Sequence, residues 1–231
     1  MAMPNPPYAP VGLSAKHQLV LTAERLFALH GLGGVSLRQI GTEAGMANKS
    51  AVHYHFGSKQ ALVEAILLNR VEVLVRRRQL LEARATPGNL RAAIEAHQLP
   101  LIELAEDETC FYLPFLEQLL RHAPVANPLA ALPDTHLEAN RAYVELIGSL
   151  IPHVPQPLRD HRIHQVSALC VHVCADRHRA RLFGTPMPSY ALHVSDLLDG
   201  IVCYLESTPS AESLAALDEA DQVSPGLRAL P

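Results

Sequence analysis

Residues 45–57, "GMANKSAVHYHFG", place two histidines, a tyrosine and a phenylalanine at four consecutive positions. Two histidines beside a lysine and an asparagine suit a metal centre, a catalytic cluster or a nucleic-acid reader. His53 and His55 are two residues apart, so on a helix they point to different faces. As metal ligands they would need a spacing of four on one helix, or partners from elsewhere in the chain. The spacing therefore disfavours a metal centre.

Glycines and prolines divide the rest of the chain into helix-sized pieces, and no alternating strand pattern is present. "SLRQ" at residues 36–39 has the form of a capping box and opens one of the predicted helices. The predicted helices cover about 14–30, 36–45, 49–55, 58–84, 89–106, 108–122, 135–151, 157–181 and 189–206. The predicted fold class is all-α, with a three-helix head followed by a larger helical domain.

Composition is typical of a globular chain with a sizeable core: 231 residues, of which 48% are apolar. No run reaches the roughly 18 apolar residues of a membrane helix. The start, "MAMPNPPYAPVG", has four prolines and no signal-peptide pattern, so we expect a disordered arm and a cytoplasmic protein.

Charge is distributed unevenly. The whole chain carries −4, but residues 1–60 hold five basic side chains against two acidic ones. That region is therefore +3 and the remainder −7. A basic head on an acidic body is compatible with phosphate binding by the head alone.

The four cysteines form no CxxC pair, and we expect free thiols that serve as small core residues. Cys170, Cys174 and His178 do share one helix face, which leaves a metal- or redox-responsive site as an alternative. The helix around them is apolar, which favours ordinary burial. The sequence contains no GxSxG motif of the kind that carries the nucleophile in many hydrolases, so a hydrolase is poorly supported. We expect no enzyme activity, no cofactor and no metal.

Helices two and three are short and joined by a tight glycine-containing turn, which is helix-turn-helix spacing. Such a unit places the start of its third helix in the DNA major groove. Asn48 is positioned to cap that helix, and Ser58 and Lys59 open the next helix as a second phosphate site. Four side chains of the third helix can contact base edges or phosphates: Lys49, Ser50, His53 and Tyr54.

The stretch "LTAERLFALHGLGGVSLRQIGTEAGMANKSAVHYHFGSKQALVEAIL", residues 21–67, resembles the DNA-binding head of the TetR family of transcriptional regulators. The matching features are Gly31, Ser36, Ile40, Ala44, Gly45, "HYHF" at 53–56, Ser58, Lys59, Ala61 and Leu62. The turn is one residue longer than the commonest form. His53 and Ala51 also stand where Tyr and Thr are usual.

This resemblance implies a role for individual residues. Arg38 would reach a base or phosphate. Base-edge contacts would come from Ser50, Ala51 and His53, and phosphate contacts from Tyr54, His55 and Lys59. The complete set of predicted DNA-binding residues is Arg38, Asn48, Lys49, Ser50, Ala51, His53, Tyr54, His55 and Lys59.

The resemblance further implies a homodimer that reads two half-sites of a palindromic operator in double-stranded DNA. Apolar stripes on the last two large helices are the candidate interface. They comprise Val166, Leu169 and Val173 on the first, and Leu197, Leu198, Ile201 and Leu205 on the second.

The middle helices would enclose a small, apolar or amphipathic effector. The predicted pocket residues are His97, Leu101, Phe111, Tyr112, Phe115, Leu119, Tyr143 and His172. The same rings also suit an ordinary core. In the expected mechanism the effector favours a state in which the fourth helix pivots and the heads lose their spacing, which releases a repressor.

The predicted organisation is an arm at 1–13, a helix-turn-helix domain at 14–57, a ligand-binding and dimerisation domain at 58–207, and a flexible tail at 208–231. Two other functions stay open. One is a metal- or redox-responsive regulator that uses Cys170 and Cys174. The other is an enzyme or small-molecule carrier with a degenerate DNA-binding head.

Overall fold

The computed structural model describes residues 14–48, 50–122 and 134–223. These residues form helices and connecting turns and contain no β-strand, which confirms the predicted all-α class. The predicted arm at 1–13 and the predicted DNA contact Lys49 lie outside the described residues. The helices are α1 Ala15–His30, α2 Leu37–Glu43, α3 Ala51–Phe56, α4 Lys59–Glu82, α5 Leu90–Leu104, α6 Tyr112–His122, α7 Asp134–Leu150, α8 Gln156–Leu182, α9 Tyr190–Glu206 and α10 Ala211–Val223.

Side-chain caps fix where several of these helices begin. Ser14, Ser36 and Ser58 accept hydrogen bonds from backbone amides three residues ahead, at 3.1–3.2 Å. Asn89 and Ser189 do the same for α5 and α9. Each cap satisfies an amide that the helix itself leaves unpaired. These local signals explain why the predicted and observed boundaries nearly coincide.

Helix α6 begins later than its sequence pattern predicts, at Tyr112 instead of 108. The carboxylate of Asp107 accepts hydrogen bonds from the Thr109 amide at 2.9 Å and the Thr109 hydroxyl at 2.6 Å. This local turn competes with helix formation. Pro114 is the third residue of α6, where a missing amide hydrogen costs no intrahelical bond, so it does not interrupt the helix.

The core runs without a break from the head into the body. Helix α1 packs against α2, α4 and α6, and α6 in turn packs against α8. Phe27 of α1 stacks with Phe115 of α6, with ring centroids 6.3 Å apart. The head is therefore held by the body through α4 and α6.

The segment predicted as a flexible tail with at most one weak helix contains one helix in its described part, α10. None of the described helices combines the length and the apolarity needed to cross a membrane.

Candidate nucleic-acid interface

The turn between α2 and α3 is closed by backbone hydrogen bonds. The amides of Gly45 and Met46 donate to Thr42 and Gly41, each at 3.0 Å. Gly45 has a φ of 70°, which side-chain-bearing residues adopt at a cost. The glycine thus ends α2 and redirects the chain toward α3.

Asn48 prepares the start of α3. Its side-chain oxygen accepts a hydrogen bond from the Ser50 amide at 2.8 Å, and its carbonyl accepts one from the Ala51 amide at 3.0 Å. Asn48 is therefore not the cap of α3, as predicted: Ser50 holds the N-cap position without a side-chain cap bond, and the Asn48 side chain orders the turn before it. Asn48 itself is exposed.

The side chains of α3 divide between two faces. Ala51 and Val52 are buried in the core of the head. His53 and Tyr54 are exposed, Tyr54 to 83%, and His55 is half-buried with its ring 5.1 Å from the Tyr54 ring. The prediction that Ala51 contacts a base edge is therefore corrected, because its methyl group faces the core.

Phe56 packs against the core from the end of α3, and the ammonium of Lys16 lies 5.8 Å from its ring centroid. Arg38 is exposed on α2, and its carbonyl accepts a hydrogen bond from the Thr42 hydroxyl at 3.0 Å. The outer face of the unit thus presents Arg38, Ser50, His53 and Tyr54 to solvent.

Lys59 does not lie free as a phosphate contact. Its ammonium donates to the carbonyl oxygen of Leu32 at 2.7 Å and lies 5.7 Å from the centroid of the Phe27 ring. The half-buried side chain therefore joins the start of α4 to the loop after α1. This placement corrects the predicted phosphate role.

The described part of the chain contains no group of three His, Cys, Asp or Glu side chains placed to hold a metal ion. Cys170 and Cys174 are buried free thiols. A hydrogen bond with Cys170, together with burial, raises the pKa of Cys174. Cys174 therefore remains in the thiol form, which reacts poorly with oxidants and metals.

Most residues of the predicted effector pocket are packed in the interior of the body. The buried ones are His97, Leu101, Tyr112, Phe115, Leu119 and Tyr143. Phe111 is half-buried, with its ring edge-on to His178 at 5.1 Å. His172 is exposed instead and borders a surface depression of about 230 Å³. The structure thus corrects the assignment of His172 to an interior pocket.

The fold buries some residues of the predicted dimer stripes and leaves others accessible. Four of the seven residues are buried within the protomer itself: Val166, Leu198, Ile201 and Leu205. α9 turns Leu198, Ile201 and Leu205 inward as it packs on α5 and α8, and α8 turns Val166 into the same core, so these four do not face outward. Leu169 is 48% exposed, and Val173 and Leu197 are half-buried.

Sequence reasoning missed the ion pair that joins α1 to α4. Arg70 donates to both carboxylate oxygens of Glu24, at 3.2 and 3.3 Å, although Glu24 is only 1% exposed. The available signal was a single acidic residue among the apolar positions of α1. Such a residue needs a buried partner.

Comparison with known proteins agrees with this geometry. Residues 19–66 match the family model described as bacterial regulatory proteins, tetR family. No curated protein sequence matches the chain.

Several solved structures share the fold. A transcriptional regulator from Rhodococcus sp. is 18% identical with a TM-score of 0.56, and the alignment covers 85% of this chain and 100% of that one. Mycobacterium smegmatis AmtR is 20% identical with a TM-score of 0.54, covering 95% and 100%. The TetR-family regulator PfmR from Thermus thermophilus is 17% identical with a TM-score of 0.53, covering 83% and 99%. We conclude that the chain carries the N-terminal head of the TetR family of bacterial regulatory proteins on a helical body with the fold of TetR-family transcriptional regulators.

Proposed function

We propose that the protein is a cytoplasmic, homodimeric transcriptional regulator that binds double-stranded DNA through the outer face of α3. The observation that carries the proposal is the exposure of His53 and Tyr54 on a helix whose other face, Ala51 and Val52, is fixed in the core. A large aromatic side chain exposed to 83% has no use in the fold of the protomer. The role is binding and not catalysis.

Each exposed side chain suits a particular kind of contact with DNA. Ser50 and His53 are placed at the start of α3, where a helix-turn-helix unit meets base edges. Tyr54, His55 and Arg38 flank them and suit phosphate contacts. Ala51 has no contact with DNA, and Lys59 acts within the head.

Fluorescence anisotropy with labelled duplexes tests the DNA proposal. The duplexes should include palindromes from upstream of the protein's own gene and scrambled controls. We expect His53→Ala to reduce the preference for the palindrome. Arg38→Ala should weaken binding to all duplexes and reduce the slope of log K against log salt concentration by about one, as expected for one lost phosphate contact. Gln79→Ala, at an exposed position of α4, is the control. Equal loss on every duplex from His53→Ala would refute its role as a base reader.

The dimer surface that we propose is the outer face of α8. Leu169, Val173, Ala180 and Phe183 recur there at helical spacing, and Phe183 is 64% exposed. Val173, Ala180 and Phe183 also border an open depression of about 510 Å³ that Met187 helps to line. An exposed apolar stripe of this kind is typical of a subunit contact.

Light scattering of the purified protein tests the dimer. We expect Leu169→Glu and Phe183→Glu to yield monomers with weakened operator binding, because a single head contacts too few bases. Leu80→Glu, at a 58% exposed position of α4, should leave the dimer intact. A dimer that persists in the double variant would place the interface elsewhere.

We propose further that a small effector releases the protein from DNA, as expected of a repressor. Helix α4 supports this, because its 24 residues, about 36 Å, connect the head with the interior of the body. An effector that favours one position of α4 would change the spacing of the two heads, with a typical coupling of about 1–3 kcal/mol. A ligand that binds tightly without changing operator affinity would exclude this mechanism.

A further inference from the structure

The fold itself engages two of the five basic side chains in residues 1–60. Arg25 forms an ion pair with Glu43 at 3.4 Å. The ammonium of Lys59 is bonded to the carbonyl oxygen of Leu32. Both cations have a partner within the head and gain less from a DNA phosphate. The positive charge that the head offers to DNA therefore comes mainly from the other three.

Lys16 is one of these three, and the proposed DNA interface does not yet use it. Lys49 lies outside the described residues, and Arg38 has a proposed phosphate contact. Lys16 is the second residue of α1, and its side chain is exposed. No acidic side chain in the described part of the chain forms an ion pair with it. Its charge is therefore available to an external anion.

The ammonium of Lys16 lies beside the recognition helix. It is 5.8 Å from the ring centroid of Phe56, the last residue of α3. The Phe56 ring lies 6.2 Å from the His55 ring, which lies 5.1 Å from the exposed ring of Tyr54. An aromatic face attracts a cation through the charge distribution of its ring. Lys16 thus adds a positive charge to the side chains around the end of α3.

We propose that Lys16 contacts a phosphate of the DNA backbone next to the end of α3. This inference rests on the proposed DNA binding and adds a contact from α1, which lies outside the helix-turn-helix pair. The proposed base readers, Ser50 and His53, lie toward the start of α3, so the end of the helix meets the flanking backbone. A lysine ammonium is a compact charge with three donors, which suits a phosphate oxygen.

Two other roles for Lys16 make different predictions. A structural role would rest on its contact with the Phe56 ring, but such contacts stabilise little when the cation is exposed. A base contact would alter sequence preference, whereas a phosphate contact positions the head equally on every sequence. Stability, sequence preference and salt dependence therefore distinguish the three roles.

Fluorescence anisotropy of the full chain tests the contact, with palindromic and scrambled duplexes over a range of salt concentrations. We expect Lys16→Gln to weaken binding to every duplex about three- to tenfold at about 0.1 M salt. The slope of log K against log salt concentration should fall by about one for each bound head, and the preference for the palindrome should not change. Lys16→Arg keeps the charge and should retain most of the affinity. Arg84→Gln is the matched control, because it removes the same charge from an exposed side chain just beyond the far end of α4.

Urea denaturation of the same variants separates DNA contact from a structural role, and Lys16→Gln should unfold at the same urea concentration as the unchanged chain. An unchanged affinity and salt slope, an equal loss in Arg84→Gln, or a loss confined to the palindrome would overturn the proposal. So would weaker binding that is accompanied by lower stability. If the unchanged chain binds duplexes and Lys16→Gln has no effect, this inference alone is refuted. If the unchanged chain binds no duplex, the proposed function is refuted and this inference with it.

Discussion

Lys59 has a role in the fold that its position in the sequence does not suggest. A lysine at the start of α4 suits a phosphate, but its ammonium already bonds to the Leu32 carbonyl, 27 residues away in sequence. The contact with the Phe27 ring adds a cation–π interaction. Lys59 is therefore part of the scaffold that holds the recognition helix.

We predict that Lys59→Ala lowers the free energy of unfolding by about 1–3 kcal/mol, because it removes a charge-assisted hydrogen bond and leaves the Leu32 carbonyl without a partner. Urea denaturation measures the change. Lys16→Ala is the comparison, since Lys16 is exposed and its ammonium lies over the Phe56 ring. Unchanged stability together with weaker binding to every duplex would restore the phosphate role of Lys59.

His97 gives a pH dependence with a definite sign. Burial and the nearby Arg78 hold the pKa of His97 well below its ordinary value, so the folded protein keeps this ring neutral. The unfolded chain binds a proton at about pH 6.5. Stability that stems from His97 is therefore complete above that pH and is lost as the pH falls.

We predict that the free energy of unfolding falls between about pH 7.5 and 5.5, and that His97→Phe reduces the slope by up to about 1.4 kcal/mol per pH unit. The pKa values of His178 and His193 are also lowered by burial, so part of the slope remains. An identical slope in His97→Phe would show that His97 takes up a proton in the folded state.

At the scale of elements, α6 and α8 are joined by one carboxylate. Glu117 of α6 accepts a hydrogen bond from Arg179 at 2.5 Å, and the Nδ1 of His172 lies 2.5 Å from its other oxygen. The side chain of Glu117 is only 7% exposed. Although burial opposes the charge, the partners on α8 hold the pKa of Glu117 below its ordinary value.

We predict that Glu117→Ala costs about 1–3 kcal/mol of stability, since it leaves Arg179 without its buried acceptor. Glu72→Ala removes an exposed ion pair with Arg76 on α4 and should have almost no effect. Urea denaturation of both variants provides the comparison. Similar small losses of stability in the two variants would mean that the contacts of Glu117 with α8 contribute no more than an exposed ion pair.

At the scale of the whole molecule, the pair of Glu24 and Arg70 ties the head to the body. Its atoms join α1 to α4, and the carboxylate also receives a hydrogen bond from the backbone of Phe111. Burial raises the pKa of Glu24, and Arg70 opposes the rise. The charged form of Glu24 therefore depends on Arg70 and on the hydrogen bond from the Phe111 backbone.

We predict that Arg70→Met is strongly destabilising, by about 3–5 kcal/mol, because a buried carboxylate remains unpaired. The double variant Glu24→Leu with Arg70→Met should recover most of that loss, since two apolar side chains replace the pair. A double-mutant cycle on unfolding free energies measures the coupling. Additive losses without recovery would show that packing, and not the ion pair, joins head and body.

The sequence by itself determined most of the helices, the starts of α2 and α4 and the helix-turn-helix unit. Ser36, Gly45 and Ser58 act on neighbours within a few residues, and such local signals can be read without knowledge of the fold. The exposed face of α3 followed from the same local pattern, apart from Ala51.

Only the tertiary structure decided which groups cover the apolar faces of the helices and which groups pair with their charged side chains. An amphipathic stripe predicts that something covers it, but not whether the cover is the same chain or a partner. Ile201 and Leu205 therefore proved to be the protomer's own core. Lys59 and Arg78 depend likewise on groups brought close by distant helices. Burial and pairing are long-range properties, and no local pattern contains them.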